Sequence, residues 1–154
     1  MRVTIVGCGY VGEALARRWS DPSVVDLTVT TTREDRRVEL TPLARQVLVV
    51  RASDPSALFQ ALDGADAAVF CLAPGGDRQV GADAYSATYR DSMLALQELL
   101  PDLPSLRQIV YTSSCGVYGG AAGGWVDEAT PAIPRDDHAA VLLESEQLLE
   151  QCRT

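Results

Sequence analysis

Apolar residues recur along this chain in two alternating rhythms. Short runs rich in β-branched residues, at Arg2–Val6, Asp26–Thr31, Gln46–Val50, Ala67–Leu72 and Gln108–Thr112, read as five strands, the first of them buried. Between them, apolar side chains three and four positions apart predict helices. The first spans about Tyr10–Trp19, with Val11, Ala14, Leu15 and Trp19 at helical spacing. Asp54-Pro55 places an N-cap before a proline at the first helical position, opening a helix that Asp63-Gly64 ends near Leu62. A longer helix, Asp83–Leu100, sets Tyr85, Tyr89, Met93, Leu96 and Leu100 on one face, and Pro101 and Pro104 close it. A last helix, Arg135–Gln151, carries Ala139, Leu142, Leu143 and Leu149. Three stretches lack either rhythm. Arg33–Leu43 is charged and reads as a short helix or loop, Gly75-Gly76-Asp77 begins a loop, and Ser113–Pro134 is a long loop rich in glycine, alanine and proline.

Strands joined in turn by helices imply an α/β domain, residues 1–154, whose parallel sheet is covered on both faces. Right-handed crossovers then give a doubly wound Rossmann fold of about five strands in the order 3-2-1-4-5. In such a sheet the ligand lies beyond the carboxyl ends of strands 1 and 4, where strand order reverses. The residues that follow those strands are Gly7–Gly12 and Ala73-Pro74-Gly75.

The first of these segments carries chemistry. Gly7-Cys8-Gly9-Tyr10-Val11-Gly12 follows a predicted strand and opens a predicted helix, the context in which Gly-x-Gly-x-x-Gly binds a dinucleotide. Gly7 allows a tight turn, Gly9 leaves room for a pyrophosphate, and Gly12 lets helix and strand pack closely. The helix start adds free N–H groups and a positive dipole end. An acidic residue about 20 positions further on accepts the ribose 2′-hydroxyl in an NAD site. Here that region reads Thr30-Thr31-Thr32-Arg33, with Arg36 and Arg37 close behind. Hydroxyls and guanidinium groups, led by Thr32 and Arg33, favour the 2′-phosphate of NADP, with NAD the alternative should Glu34 take the acidic position.

Composition narrows the field by absences. The net charge is −8, against a nucleic-acid partner or an anionic membrane surface. All 13 basic residues are arginine, and the chain has neither lysine nor asparagine. This excludes a P-loop lysine and a Schiff-base lysine, and with His138 the lone histidine it excludes a histidine-rich metal site. No apolar stretch reaches the ~18 residues of a membrane span, and the N-terminal apolar run is too short for a signal peptide. Cys8, Cys71, Cys115 and Cys152 form no C-x-x-C pair. Three of them fall in or beside predicted strands, so buried free thiols in a cytoplasmic protein are expected.

Around the fifth strand the chain reads Ile109-Val110-Tyr111-Thr112-Ser113-Ser114-Cys115-Gly116-Val117-Tyr118-Gly119, then Val126-Asp127-Glu128-Ala129-Thr130-Pro131. This resembles the extended short-chain dehydrogenase/reductases, the family of NAD-dependent epimerases and dehydratases. Asp54 after strand 3, and Ala73 with Pro74 after strand 4, fit the same template as cofactor contacts. The resemblance covers the N-terminal part of that fold and stops before most of the substrate-binding region. It implies a nucleotide-sugar or other small carbonyl or hydroxyl substrate. Catalysis in the family rests on a serine or threonine and on a Tyr-x-x-x-Lys pair. The serine position falls on Ser114, and Glu146-Gln147-Leu148-Leu149 aligns the pair with His138 and Leu142. His138 stands either as a substitute acid/base or as a solvated surface residue, and Ser114 either as a ligand contact or as a backbone cap. Tyr118 and Trp125 read as loop packing ahead of the alternative, stacking platforms for a ligand. The function is then an NADP-binding protein of this family, either still an enzyme or descended from one, a non-catalytic NADP-sensing or scaffold domain, or a truncated inactive product. A homodimer through the two long helices or the strand 5 edge is expected, since an open edge tends to pair.

Overall fold

The computed structural model describes residues 1–75, 80–120 and 123–152. Gly76-Asp77 of the predicted loop, and Ala121-Ala122 of the long one, lie outside the described residues. Five parallel strands run β1 (Arg2–Val6), β2 (Asp26–Thr31), β3 (Gln46–Val49), β4 (Ala67–Phe70) and β5 (Gln108–Tyr111), and their order across the sheet is β3-β2-β1-β4-β5. The register pairs Ile5 with Val29 on one side and with Val69 on the other. The expected topology is the observed one.

Helices α1 (Tyr10–Arg18) and the short α2 (Arg37–Leu40) belong to one face of the sheet. Val3, Ile5, Leu27 and Val29 pack there with Ala16 and Leu40. The other face carries α3 (Pro55–Leu62), α5 (Asp91–Leu99) and the end of α6 (Asp137–Gln151), which close over Val6, Ala68 and Phe70 with Leu58, Met93 and Leu96. β1 is central, so its side chains are buried on both faces. Its polar residue Thr4 is satisfied there, its hydroxyl donating to the Ala61 carbonyl of α3 at 2.8 Å.

Two departures from the sequence pattern bear on function. The helix expected over Asp83–Leu100 is α4 (Ala82–Tyr85), then a π turn over Ser86–Arg90, then α5. A π turn inserts a residue and shifts the helical register, which a regular i, i+4 reading cannot register. Ser92, buried, steadies it by donating its hydroxyl to the Thr88 carbonyl at 2.6 Å. The second departure is β5, whose apolar run is left uncovered: its positions alternate between exposed and half-buried, with Val110 44% exposed, whereas β1, β2 and β4 are mostly buried. It is an edge strand, paired only to β4.

Candidate functional site

The glycine segment forms a tight turn between β1 and α1. Gly7 sits at φ +88°, and a Cβ there would come within 2.8 Å of the Cys71 carbonyl oxygen, so only glycine fits. The turn is pinned from β2: the Gly7 N–H donates to the Thr30 hydroxyl at 2.9 Å and the Cys8 N–H to the Thr30 carbonyl at 2.7 Å. A Cβ on Gly12 would lie 2.7 Å from the Gly7 carbonyl oxygen and 3.0 Å from the Ile5 side chain. Gly9 differs: a Cβ there meets nothing within 4 Å. Gly9 is the N-cap of α1 and no side chain caps that end, so the first N–H groups of the helix have no partner within it. They carry the positive end of the helix dipole.

The turn opens onto a cavity of about 550 Å³, within the range of small-molecule sites. Gly7, Cys8 and Gly9 form its floor, Thr30 and Thr31 line it from the end of β2, and Thr32, Arg33 and Arg36 from the segment after it. Arg51, Ala52 and Ser53 line it after β3, Ala73, Pro74 and Gly75 after β4, and Ala87, Thr88 and Ser92 from the π turn and α5. Its described lining holds three arginines and no carboxylate. Arg33 pairs with Asp35, and both are 65% exposed. Arg36 is 19% exposed and reaches Glu13 at 2.5 Å and Glu39 at 3.2 Å. Arg17, and then Arg36, hold the Glu13 carboxyl below the usual carboxylate range. Burial pushes the Cys8 thiol up to about 11 and raises that of Cys71, so both stay protonated at neutral pH. All four cysteines are free, but Cys115 is exposed, contrary to expectation, because it stands past the end of β5 in a 3-10 turn.

The cavity therefore brings together Gly7, Gly9, Thr32, Arg33, Ala73 and Pro74. Tyr10, Val11 and Gly12 follow in the first turn of α1 and do not line it; the side chains of Tyr10 and Val11 are exposed, so what they offer is main-chain N–H. Asp54 N-caps α3, accepting the Ala57 N–H at 3.2 Å. Ser114 caps the turn Cys115–Tyr118, accepting the Gly116 N–H at 3.2 Å. His138 is half-buried rather than solvated: its Nε2 lies 2.8 Å from the Val80 carbonyl and its ring packs against Tyr85, centroids 4.4 Å apart. Leu142 is buried with Tyr89 and Val117. Neither Ser114 nor His138 borders the cavity. Tyr118 packs beside this cluster, but Trp125 is fully exposed. Arg51 and Ser53 were missed in the sequence, although the rule that ligands gather at carboxyl strand ends points to the residues after β3. Ala87, Thr88 and Ser92 reach the cavity beside the π turn, which has no sequence signature.

The NAD dependent epimerase/dehydratase family matches residues 3–154. The chain belongs to this family. Among curated relatives, the D-erythronate dehydrogenase of Cupriavidus necator is 29% identical over 160 aligned positions, covering 97% of this chain and 49% of that enzyme. Solved structures with the same fold include WbmG of Bordetella bronchiseptica in complex with NAD (TM-score 0.82, 20% identity, 98% of this chain and 49% of that one). Another is a double mutant of DesIV, the dTDP-glucose 4,6-dehydratase of Streptomyces venezuelae, with NAD bound (TM-score 0.81, 22% identity, 98% and 51%). The chain thus spans about half the length of these family members. No helix among the described residues is long and apolar enough to cross a membrane.

Proposed function

We propose that this chain binds a nicotinamide dinucleotide across the carboxyl ends of β1, β2 and β4, with NADP preferred over NAD. One observation carries the reading: the glycine turn opens onto a cavity lined after β2 and β3 by Arg33 and Arg51 and by no carboxylate among its described residues. A bare 2′-hydroxyl is recognised by a carboxylate acceptor, a 2′-phosphate by guanidinium groups. The open space beside Gly9 and the uncapped end of α1 suit a pyrophosphate. Bound there, the dinucleotide would supply or accept a hydride. The relatives' named activities favour a small hydroxylated or nucleotide-sugar substrate for the parent enzyme. In this chain the proton-handling side is altered. Leu142 is buried where the resemblance places lysine, and His138 is engaged with Val80 and Tyr85. These contacts favour cofactor binding with little hydride transfer, as in a sensing or scaffold domain.

Calorimetric titration tests the binding. NADPH should bind more tightly than NADH, and Arg33→Ala should weaken NADPH about tenfold while sparing NADH. Equal loss of both removes Arg33 from 2′-phosphate recognition, and failure of both cofactors to bind the unaltered chain removes the reading. Turnover of NADPH with aldehydes, ketones and nucleotide sugars separates the enzyme from the sensor.

We also propose a cytoplasmic homodimer formed at the β5 edge. A groove of about 1220 Å³ runs along that edge, bordered by Arg107 and Gln108 at one end and by Ser113 and Glu146 at the other. Antiparallel pairing of two β5 strands would set each Arg107 toward the other copy's Glu146. Sedimentation at micromolar concentration should show a dimer that Val110→Lys splits, and a monomer at all concentrations removes the proposal.

A further inference from the structure

Arg36 borders the cavity but is not placed like a free phosphate-binding arginine. Its Nη1 donates to the Cys8 carbonyl at 3.2 Å, its Nη2 to Glu13 Oε2 at 2.5 Å, and its Nε to Glu39 Oε2 at 3.2 Å. All three nitrogens are engaged within the protein, and the side chain is 19% exposed. Arg33 is the opposite case, 65% exposed, with its side chain bonded, among the described residues, to Asp35 two positions on. The Glu13 carboxylate is divided as well: Oε1 accepts from Arg17 and Oε2 from Arg36. Glu13 stands in the first turn of α1 and its N–H closes the first helical bond, to Gly9.

The target of Arg36 is the Cys8–Gly9 peptide at the centre of the glycine motif. Glycine on either side of Cys8 leaves this segment with few steric restraints of its own. The Cys8 N–H is held by the Thr30 carbonyl, so the Cys8 carbonyl is the group that Arg36 secures. A carbonyl oxygen turned toward an incoming phosphate would repel it, because both are acceptors. Held against a guanidinium, that oxygen is partnered and kept from rotating toward the uncapped end of α1. We propose that Arg36 is a positioning residue. Tethered by Glu13, it holds the glycine turn in the shape that admits a pyrophosphate and does not itself read the 2′-phosphate. The inference rests on the dinucleotide reading and divides the labour within it: Arg36 serves the diphosphate half of the ligand and Arg33 the 2′-phosphate.

Three probes separate these roles. ADP-ribose has the diphosphate without the 2′-phosphate, 2′-AMP has the 2′-phosphate without the diphosphate, and NADPH has both. Arg36→Ala should weaken ADP-ribose and NADPH by the same factor, on the order of tenfold, and leave 2′-AMP within about twofold. Arg36→Lys should not restore binding, because a single ammonium cannot bridge Cys8, Glu13 and Glu39 in one plane. Glu13→Gln keeps the side-chain shape and should lower ADP-ribose and NADPH together by a smaller factor, so the idea stays testable should Arg36→Ala fold poorly. Loss confined to NADPH and 2′-AMP would show that Arg36 reads the 2′-phosphate. Equal loss of all three probes with a lowered melting temperature would reduce it to a structural strut, and full rescue by lysine to a generic charge. Each of these overturns the proposal while leaving the cavity a dinucleotide site. Failure of the unaltered chain to bind ADP-ribose and NADPH would overturn the dinucleotide reading itself.

Discussion

The two ends of the sheet's switch-point region differ in how they are built. On the β1–β2 side, the elements that would meet a cofactor are main-chain groups: the turn at Gly7, the space at Gly9, and the N–H groups opening α1. Thr30 and Arg36 reinforce them from outside. On the β5–α6 side, the groups that would carry out chemistry are side chains, and each is engaged elsewhere. Ser114 caps a 3-10 turn, His138 holds Val80 and Tyr85, and Leu142 fills a hydrophobic cluster with Tyr89 and Val117. The contrast shows that binding and catalysis make different demands on a sequence. A phosphate cradle needs small residues and a defined backbone, and many neighbouring side chains can vary around it. A proton relay needs particular side chains at hydrogen-bond distance from the reacting atoms, and replacing one residue removes it.

The largest effect should come from filling the cradle. Gly9→Val adds methyl groups where a Cβ meets no protein atom, so the fold should tolerate it and the cavity should not. Dinucleotide affinity should drop a thousandfold or more, about 4 kcal/mol, with the melting temperature close to that of the unaltered chain. Calorimetry and a thermal melt on the same sample decide it, and retained binding would mean that the ligand does not pass Gly9. Gly7→Ala makes the converse case. It forces a side chain into the left-handed region and against the Cys71 carbonyl 2.8 Å away. Urea unfolding should show a loss of about 3 kcal/mol, combining backbone strain with overpacking.

The same division explains what could be read from the amino-acid order. The strand sequence 3-2-1-4-5 was legible because each crossover alternates a β-branched run with a helical repeat, and right-handedness leaves few topologies. Gly7, Gly9, Thr32, Arg33, Ala73 and Pro74 were legible as cavity residues because they sit at carboxyl strand ends. Thr88 was not, since the π turn that shifts its register depends on tertiary packing and on the bond from Ser92. The commitment of Arg36 to Cys8 and Glu13 was hidden for a related reason. A run of charges such as Arg33–Glu39 shows which groups are available and not which contacts form across 28 and 23 residues of chain.

Thiols offer a smaller, region-by-region readout. Cys8 and Cys71, behind the glycine turn, are buried, and Cys115, beyond β5, is exposed. Iodoacetamide at pH 8 should label Cys115 at once and spare Cys8 and Cys71 until the chain unfolds. Cys8 also ties stability to alkaline pH. Burial lifts its thiol from 9.0 to about 11, so the folded chain holds a proton that the unfolded chain releases. The contribution is fully present below pH 9.0 and is lost as pH rises through about 11, a change of about 3 kcal/mol. Urea midpoints at pH 8.5 and 10.5 should diverge less in Cys8→Ala than in the unaltered chain. An identical divergence would assign the alkaline loss to other groups.

The smallest effect is expected at His138, and it bears most directly on the contrast between the regions. The ring is held by one hydrogen bond of 2.8 Å to the Val80 carbonyl and by contact with Tyr85. His138→Ala removes both, leaves the carbonyl to find water, and should cost about 1 kcal/mol, or about 2–4 °C in melting temperature for a domain of this size. It touches no residue of the glycine turn and does not border the cavity, so NADPH affinity should stay within about twofold. Stability would then fall while binding stands, as expected of a residue that has become part of the packing around α4 and α6. If NADPH oxidation is measurable in the unaltered chain and vanishes in His138→Ala at unchanged affinity, the imidazole is handling a proton and the β5–α6 side retains chemistry. If oxidation persists undiminished, the proton is handled by some group other than this imidazole, and the side-chain apparatus of the family's route is not what supports it here.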